Sequence, residues 1–225
     1  MGGTVGVTGL TVPFRTDAEQ ARAIARVAPH LHGGGLLGYP TETVYGLGCL
    51  PTESALAGLA RLKGRPPEKP FLLLVSGRPM AETVGLVFNA AASALAAAFW
   101  PGPLTLVLPG GEGKLPDALR GTAGGIAVRH TSHPGVARLI RALDSPLTST
   151  SANRPGGATA PGAAGLVDLF RDAVERGELL VLDGGVLGNV PPSTLVDCTT
   201  AVPMLVREGA LPRAELRRAV GRLAP

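Results

Sequence analysis

The sequence predicts an α/β fold, a single domain built on a twisted mixed sheet with helices packed against it. Three observations carry this expectation. Amphipathic helical segments alternate with short apolar runs through most of the chain, and near the C-terminus apolar runs follow one another with no helix between them. The 225 residues are 45% hydrophobic but only 4% aromatic, which suffices for one core made mostly of Ala, Leu and Val. Glycine (32) and proline (21) are abundant, yet they punctuate periodic segments and so mark turns rather than disorder. No linker or internal repeat divides the chain, so residues 1–225 are expected to form one unit.

In chain order, Thr16-Asp17-Ala18-Glu19 has the spacing of a capping box and opens a helix over about 17–31, with Ala21, Ile24, Ala25 and Ala28 on one face. Gly33-Gly34-Gly35 stops it. Leu36-Leu37 leads a buried strand that ends at Pro40, which has no N–H for a ladder. Two threonines, a carboxylate and a tyrosine follow in Thr41-Glu42-Thr43-Val44-Tyr45, and Gly46 and Gly48 permit tight turns or close backbone approach. Polar groups crowded at a strand end suit a small-molecule site, although ordinary strand-to-helix loops are polar too. Thr52 caps a helix carrying Leu56, Leu59 and Leu62, which runs into the basic stretch Lys63–Pro70.

Phe71–Val75 reads as a buried strand, Asn89 caps a helix through Ala98 that Trp100-Pro101-Gly102-Pro103 ends, and Leu104–Leu108 is the next strand. Residues 109–125 read as a long loop. Ile126–Val128 is a strand delivering Arg129, and Pro134 starts a helix with Val136, Leu139, Ile140 and Leu143. Pro146-Leu147-Thr148 is a strand leading into Ser149-Thr150-Ser151-Ala152-Asn153. Residues 155–165 form a loop, a helix follows to about 176, and strands are expected at Leu179–Leu182, Thr194–Val196 and Met204–Val206. Pro212 suits the first position of a last helix with Leu216, Val220 and Leu223.

Several function classes are excluded by what surrounds each motif. Gly33, Gly35 and Gly38 fit G-x-G-x-x-G numerically, but a helix precedes and a strand follows, the reverse of a dinucleotide fingerprint. Gly113-Lys114 lacks the following Ser or Thr and the earlier Gly of a P-loop. No G-x-S-x-G elbow surrounds Ser149 or Ser151. His130 and His133 lack a third ligand at a telling spacing, so no metal site is expected. Cys49 and Cys198 match no metal or redox spacing, and the first ten residues have neither a signal-peptide nor a myristoylation pattern, so a reduced, cytoplasmic setting is expected. No apolar run approaches the roughly 18 residues of a membrane span. The net charge of +4 is compatible with anionic ligands or RNA.

Three constellations remain. Lys63, Arg65 and Lys69 lie just past a helix end, where cations are favoured by the helix dipole; the same residues, stiffened by three prolines, would make a phosphate clamp. Ser149, Thr150, Ser151 and Asn153 offer hydroxyls and an amide at a strand end, either as a capping turn or as hydrogen bonds to phosphate or ribose. Arg129 ends an apolar strand, where a guanidinium can meet a carboxylate in a partly desolvated cleft or simply face solvent.

The blocks Tyr39–Gly48, Lys63-Gly64-Arg65-Pro66, Lys69-Pro70, Trp100-Pro101-Gly102-Pro103-Leu104-Thr105, Ala127-Val128-Arg129, Ser149–Asn153, Pro192-Ser193-Thr194 and Val206-Arg207-Glu208-Gly209 occur in one order over most of the chain. That ordered set resembles the YrdC/TsaC family, the threonylcarbamoyl-AMP synthases, in a short form with no room for the extra C-terminal domain of longer members. The resemblance implies a YrdC-like twisted sheet with a basic concave face. It implies an activity that joins L-threonine, bicarbonate and ATP into threonylcarbamoyl-AMP and pyrophosphate. Magnesium would bind through the ATP phosphates. Partner transferases would then modify tRNA.

By position, the resemblance gives Thr43, Arg129, Ser149 and Ser193 to threonine, with Arg129 facing its carboxylate. It gives Arg65, Lys69, Ser151, Thr159 and Arg207 to ATP, with Lys63 and Lys69 helping with phosphates, and it implies Lys63, Arg65, Ser151 and Asn153 as the catalytic set. The sequence departs from some members at Leu74, Lys69 and Pro192, where they carry His, Asn and Glu. Two other readings stand beside the synthase: a non-catalytic relative binding double-stranded RNA or tRNA, and carbamoyl-adenylate chemistry serving another acceptor.

Overall fold

The computed structural model describes residues 11–65, 69–121, 123–188 and 190–224. Its first half runs β1 (Val12–Pro13), α1 (Asp17–His32), β2 (Leu36–Tyr39), β3 (Gly46–Gly48), α2 (Glu53–Lys63), β4 (Leu72–Val75), α3 (Arg78–Thr83), α4 (Ala90–Phe99) and β5 (Leu104–Leu108). It continues with β6 (Ile126–His130), α5 (Pro134–Leu143), β7 (Leu147–Ser151), α6 (Ala163–Leu169), α7 (Arg171–Glu175), β8 (Leu179–Asp183), β9 (Thr194–Asp197), β10 (Met204–Arg207) and α8 (Arg213–Val220). The cap signals act as the spacing predicts. Thr16 and Glu19 complete a reciprocal capping box on α1, Thr52 accepts from Ala55 N, and Asn89 accepts from Ala92 N.

The ten strands form one mixed sheet in the order β1-β8-β2-β3-β7-β4-β6-β5-β9-β10. Parallel pairing joins β8 to β1 and β2, β4 to β6 and β5 to β9, and the other neighbours are antiparallel. Because side chains alternate along a strand, each strand divides its residues between two faces. Leu73, Val75, Leu104, Leu106, Val128 and Val196 lie in one core with residues of α2, α4, α6 and α8, among them Leu59, Leu95, Leu166 and Leu216. Leu37, Tyr39, Leu74, Leu147 and Leu182 lie in a second core under α1 and α5, with Val27, Leu31, Leu139 and Ile140. Those two helices cover only part of the second face. Burying a large aliphatic side chain is worth about 1.5–3 kcal/mol, so where no helix lies over this face the strands carry mostly hydroxyls and guanidinium groups instead.

Several expectations change once the chain pairs. Of the two roles open to Gly46 and Gly48, close backbone approach holds and the tight turn does not: both lie in β3, between β2 and β7, where a Cβ on Gly48 would fall 1.9 Å from the Thr148 carbonyl oxygen. Ser149, Thr150 and Ser151 belong to β7 itself, paired with Leu72, Leu47 and Gly46, and Arg129 lies inside β6. The 163–176 segment is two helices that meet at Phe170, whose side chain is buried. Pro212 caps α8 from outside instead of opening it. The 109–125 stretch contains a 3₁₀ turn at Asp117–Leu119 and bridges to Leu86 and Ile126. The first ten residues, and Pro66 and Pro67 of the basic stretch, lie outside the described residues.

Candidate active site

A cavity of about 430 Å³ opens on the part of the sheet that α1 and α5 leave uncovered. Its floor follows from strand register. Leu72 pairs with Ser149, Thr105 pairs with Leu195, and Leu195 pairs with Arg207, so residues from β7, β4, β5, β9 and β10 share one face, joined by Ala127 and Arg129 of β6. The walls come from the loop after β2 (Thr41, Thr43 and Val44), from Arg65 and Pro70, from Thr159, and from Pro192-Ser193.

At Arg129 the cavity wall is buried and tightly specified. Arg129 is 4% exposed. Its Nη2 lies 2.5 Å from Glu42 Oε1, and both terminal nitrogens donate to Thr43 Oγ1 at 3.3 Å. Its Nε is buried and has no hydrogen-bond partner among the described residues. Glu42 also accepts from Thr131 Oγ1 at 2.6 Å and from the Ser132 amide at 3.2 Å. Burial by itself would raise the Glu42 pKa, but the Arg129 charge and these hydrogen bonds outweigh it and hold the carboxyl below its ordinary value. The Thr41 hydroxyl fixes the loop by donating to the Val44 carbonyl at 2.7 Å and accepting from the Thr43 and Val44 amides. Nearby, the buried hydroxyls of Thr105 and Ser193 are 2.8 Å apart. Arg207 donates from Nη2 to the Ser193 carbonyl at 2.8 Å, and partial burial followed by the Arg129 charge lowers its pKa. Gly209 lets this arm close, since a Cβ there would meet the Pro192 carbonyl at 2.1 Å.

Around Arg65 the partners are neutral. Nε donates to the Lys69 carbonyl at 2.6 Å, Nη1 to Thr150 Oγ1 at 2.9 Å and Nη2 to the Pro70 carbonyl at 2.8 Å, with the guanidinium stacked 4.8 Å from the Phe71 ring centre. Three of five N–H groups are engaged, which leaves two for a ligand.

Lys63 does not line the cavity. Its Nζ donates to the Ser151 carbonyl, to the Asn153 carbonyl at 3.1 Å and to Asn153 Oδ1 at 2.6 Å, so all three ammonium protons hold the end of β7 in place. Burial, and after it the Arg65 charge, push this ammonium down to about 8. Asn153 is engaged as well: Oδ1 also accepts from Ser151 Oγ at 2.7 Å, and Nδ2 donates to the Gly157 carbonyl at 2.8 Å.

Of the residues expected to meet substrates, Thr43, Arg65, Arg129, Ser149, Ser151, Thr159, Ser193 and Arg207 converge on this one cavity. Lys63 and Asn153 lie behind its wall, and the Lys69 side chain is exposed outside it, its carbonyl rather than its ammonium serving the site through Arg65. Sequence reasoning gave no role to Thr105 and passed over the roles of Thr41 and Glu42, while Thr150, singled out as a hydroxyl, lines the cavity and accepts from Arg65. Glu42 carried a usable signal, a carboxylate beside Thr43 in a motif already singled out; its pairing with Arg129 is a contact across 87 residues that no local pattern reveals. Among the described residues no three His, Cys, Asp or Glu side chains are placed to hold a metal ion, and no helix is long and apolar enough to cross a membrane.

Residues 30–209 match the Sua5_yciO_yrdC family model, whose description reads telomere recombination. The chain is 34% identical over 197 residues to a threonylcarbamoyl-AMP synthase of Pyrococcus abyssi, an alignment covering 87% of this chain and 56% of that protein. It is 40% identical over 180 residues to the threonylcarbamoyl-AMP synthase of Chromohalobacter salexigens, covering 80% of this chain and 94% of that one. The crystal structure of P. abyssi Sua5 complexed with L-threonine superimposes with a TM-score of 0.86 at 32% identity, over 96% of this chain and 62% of that one. The chain therefore spans little more than half the length of the archaeal relative and nearly all of the shorter bacterial one.

Proposed function

The chain belongs to the Sua5/YciO/YrdC family, and on that premise we propose that it is an L-threonylcarbamoyladenylate synthase, forming threonylcarbamoyl-AMP and pyrophosphate from L-threonine, bicarbonate and ATP. The observation that carries the reading is the convergence of eight side chains from widely separated segments on one cavity. In this reading Arg129, Thr43, Ser149 and Ser193 hold threonine, while Arg65, Ser151, Thr159 and Arg207 hold ATP. Lys63 and Asn153 act from behind, by fixing where Ser151 and the chain toward Thr159 stand.

Two bonds form in sequence. The threonine amine attacks the bicarbonate carbon with loss of water, and the resulting carbamate oxygen attacks the α-phosphorus, from which pyrophosphate leaves. The cavity wall presents guanidinium and hydroxyl groups, and the carboxylate of Glu42 is held by Arg129, Thr131 and Ser132, so the wall contributes positioning and charge neutralisation rather than a strong base. Such a donor set fits a magnesium ion held by the ATP phosphates, where it would neutralise phosphate charge, better than one held by protein carboxylates. The product would pass to transferase proteins that modify tRNA. The buried free thiols of Cys49 and Cys198 accord with a cytoplasmic setting.

The test is mass spectrometry of the product formed from ATP, magnesium, L-threonine and labelled bicarbonate. The expected result is a labelled threonylcarbamoyl-AMP whose formation, with pyrophosphate release, stops when threonine or bicarbonate is omitted. Pyrophosphate release without threonine would overturn the assignment, and RNA binding with no nucleotide binding would favour the non-catalytic alternative.

A further inference from the structure

The triphosphate of ATP, bicarbonate and the carboxylate of threonine all bring negative charge in the proposed reaction, and the cavity holds three guanidinium groups to receive it. Arg129 and Arg207 share one row of the sheet face: the β6–β5 register that sets Val128 beside Leu106 brings Arg129 beside Thr105, Thr105 pairs with Leu195, and Leu195 with Arg207. Unpaired guanidiniums lining one cavity make a polyphosphate site. Left alone, the Arg129–Arg207 pair would draw the triphosphate onto the place where an amino acid must bind. Only one of these arginines has an acidic partner among the described residues: Glu42 holds Arg129 at 2.5 Å, and the carboxylate is itself locked by Thr131 and Ser132.

We infer that Glu42 is a positioning residue that sorts the threonine carboxylate from the triphosphate of ATP, by pre-neutralising Arg129 so that its remaining N–H groups accept a singly charged carboxylate and not a polyphosphate. The inference rests on the synthase reading and adds to it a reason why the phosphates go to Arg65 and Arg207. Glu42 and Thr43 together engage three of the five Arg129 N–H groups and fix the guanidinium plane; two remain, one of them the buried Nε. Neutralising a cation at short range in a site of low dielectric removes most of its pull on a distant multiple charge, while hydrogen bonds at contact distance survive.

The experiment is calorimetric titration of the full chain with L-threonine and, separately, with inorganic pyrophosphate, for the wild type, Glu42→Gln and Glu42→Asp. The amide keeps shape and removes charge. For Glu42→Gln the ratio of the pyrophosphate Kd to the threonine Kd should fall by about tenfold or more, and Glu42→Asp should return it toward the wild-type value. A ratio within about threefold of wild type in Glu42→Gln, or an equal weakening of both ligands, would overturn the inference and leave Glu42 merely structural. A measurement on the wild type alone guards against a variant that does not fold: pyrophosphate should leave threonine binding undisplaced, and competitive displacement would overturn the inference. Wild-type protein that binds pyrophosphate but no threonine would sink the synthase reading, and the inference with it, whereas an unmoved ratio in a threonine-binding protein sinks the inference alone.

Discussion

Arg65 and Arg129 line the same cavity, yet the chain has surrounded them differently. Arg65 is exposed on one side and gripped by two backbone carbonyls, a hydroxyl and an aromatic face, none of which cancels its charge. Arg129 is buried within a strand and set against a carboxylate. A guanidinium with neutral partners keeps its full attraction for phosphate; one with an anionic partner keeps its hydrogen-bonding edge but little net charge. The lesson is that residue type alone does not define a subsite: on the reading proposed above, the neighbours decide which anion each arginine prefers.

The largest effect expected from breaking this contrast is that of Arg129→Ala. Loss of a charge-assisted partner in a desolvated site costs roughly 2–5 kcal/mol, so the threonine KM should rise about 30-fold to several thousand-fold with the ATP KM little changed. Because Glu42 is then buried without its cation, thermal stability should fall as well, a consequence of Arg129 lying inside β6 that must be read by calorimetry beside the kinetics. An ATP-selective defect would reverse the division of the cavity.

Arg65→Ala should do the opposite. Losing hydrogen bonds from a charged donor is worth about 1.5–3 kcal/mol, or roughly 10- to 150-fold in the ATP KM, with threonine dependence unaltered in steady-state titrations. Lys63→Met asks whether the wall behind Arg65 matters by position rather than by charge. It strips the donors from the Ser151 and Asn153 oxygens, so stability should drop by about 1–3 kcal/mol in denaturant unfolding, and ATP use should fall while threonine binding holds.

Acid should separate the two regions without mutation. Glu42 is held below its ordinary value of 4.5, so its contribution to stability is present above that value and is lost as pH falls through the lower folded-state value. In Glu42→Gln that part of the acid loss should vanish from a pH series of unfolding midpoints, whereas Arg65→Ala should retain it. The smallest effect should come from Thr105→Val, which leaves the Ser193 hydroxyl without its 2.8 Å partner: about 0.5–1.5 kcal/mol, or roughly 2- to 10-fold in the threonine KM, with no change for ATP.

Much of the fold was legible because it rests on local rules. Capping residues at Thr16, Thr52 and Asn89, helical periodicity in α2 and α5, and apolar runs at β4, β5 and β8 are short-range signals, and each became the expected element. In α1 the capping box placed the helix but the expected face did not hold: α1 buries Gln20, and with it Ala23, Val27 and Leu31 in the core it shares with α5, and leaves Ala21 and Ala25 exposed. The misses are elements whose identity depends on a partner. The two residues of β1 are a strand only because β8 lies beside them, and Gly46–Gly48 has no β-forming side chain at all, pairing because β2 and β7 close on it from both sides. A six-residue helix such as α3, with no side-chain cap, leaves little trace in periodicity. At the site, hydroxyl and guanidinium groups in ordered blocks were visible as chemistry. Which of them face a ligand and which serve one another was not, because that depends on register across strands far apart in sequence.

The sequence by itself determined the alternation of helices and strands, the family-like order of the polar blocks, and the presence of several cations and hydroxyls free of any catalytic triad, P-loop or metal-ligand spacing. These are properties of composition and of contacts a few residues apart. Only the tertiary structure decided that α1 and α5 leave part of one sheet face bare, that Lys63 uses its three protons on the backbone and amide behind the cavity, and that Glu42 stands against Arg129. The physical reason is range: a cap or an amphipathic stripe is fixed within a turn or two of chain, whereas the charge state of an arginine's surroundings is set by a residue 87 positions away, brought within 2.5 Å by the pairing of the whole sheet.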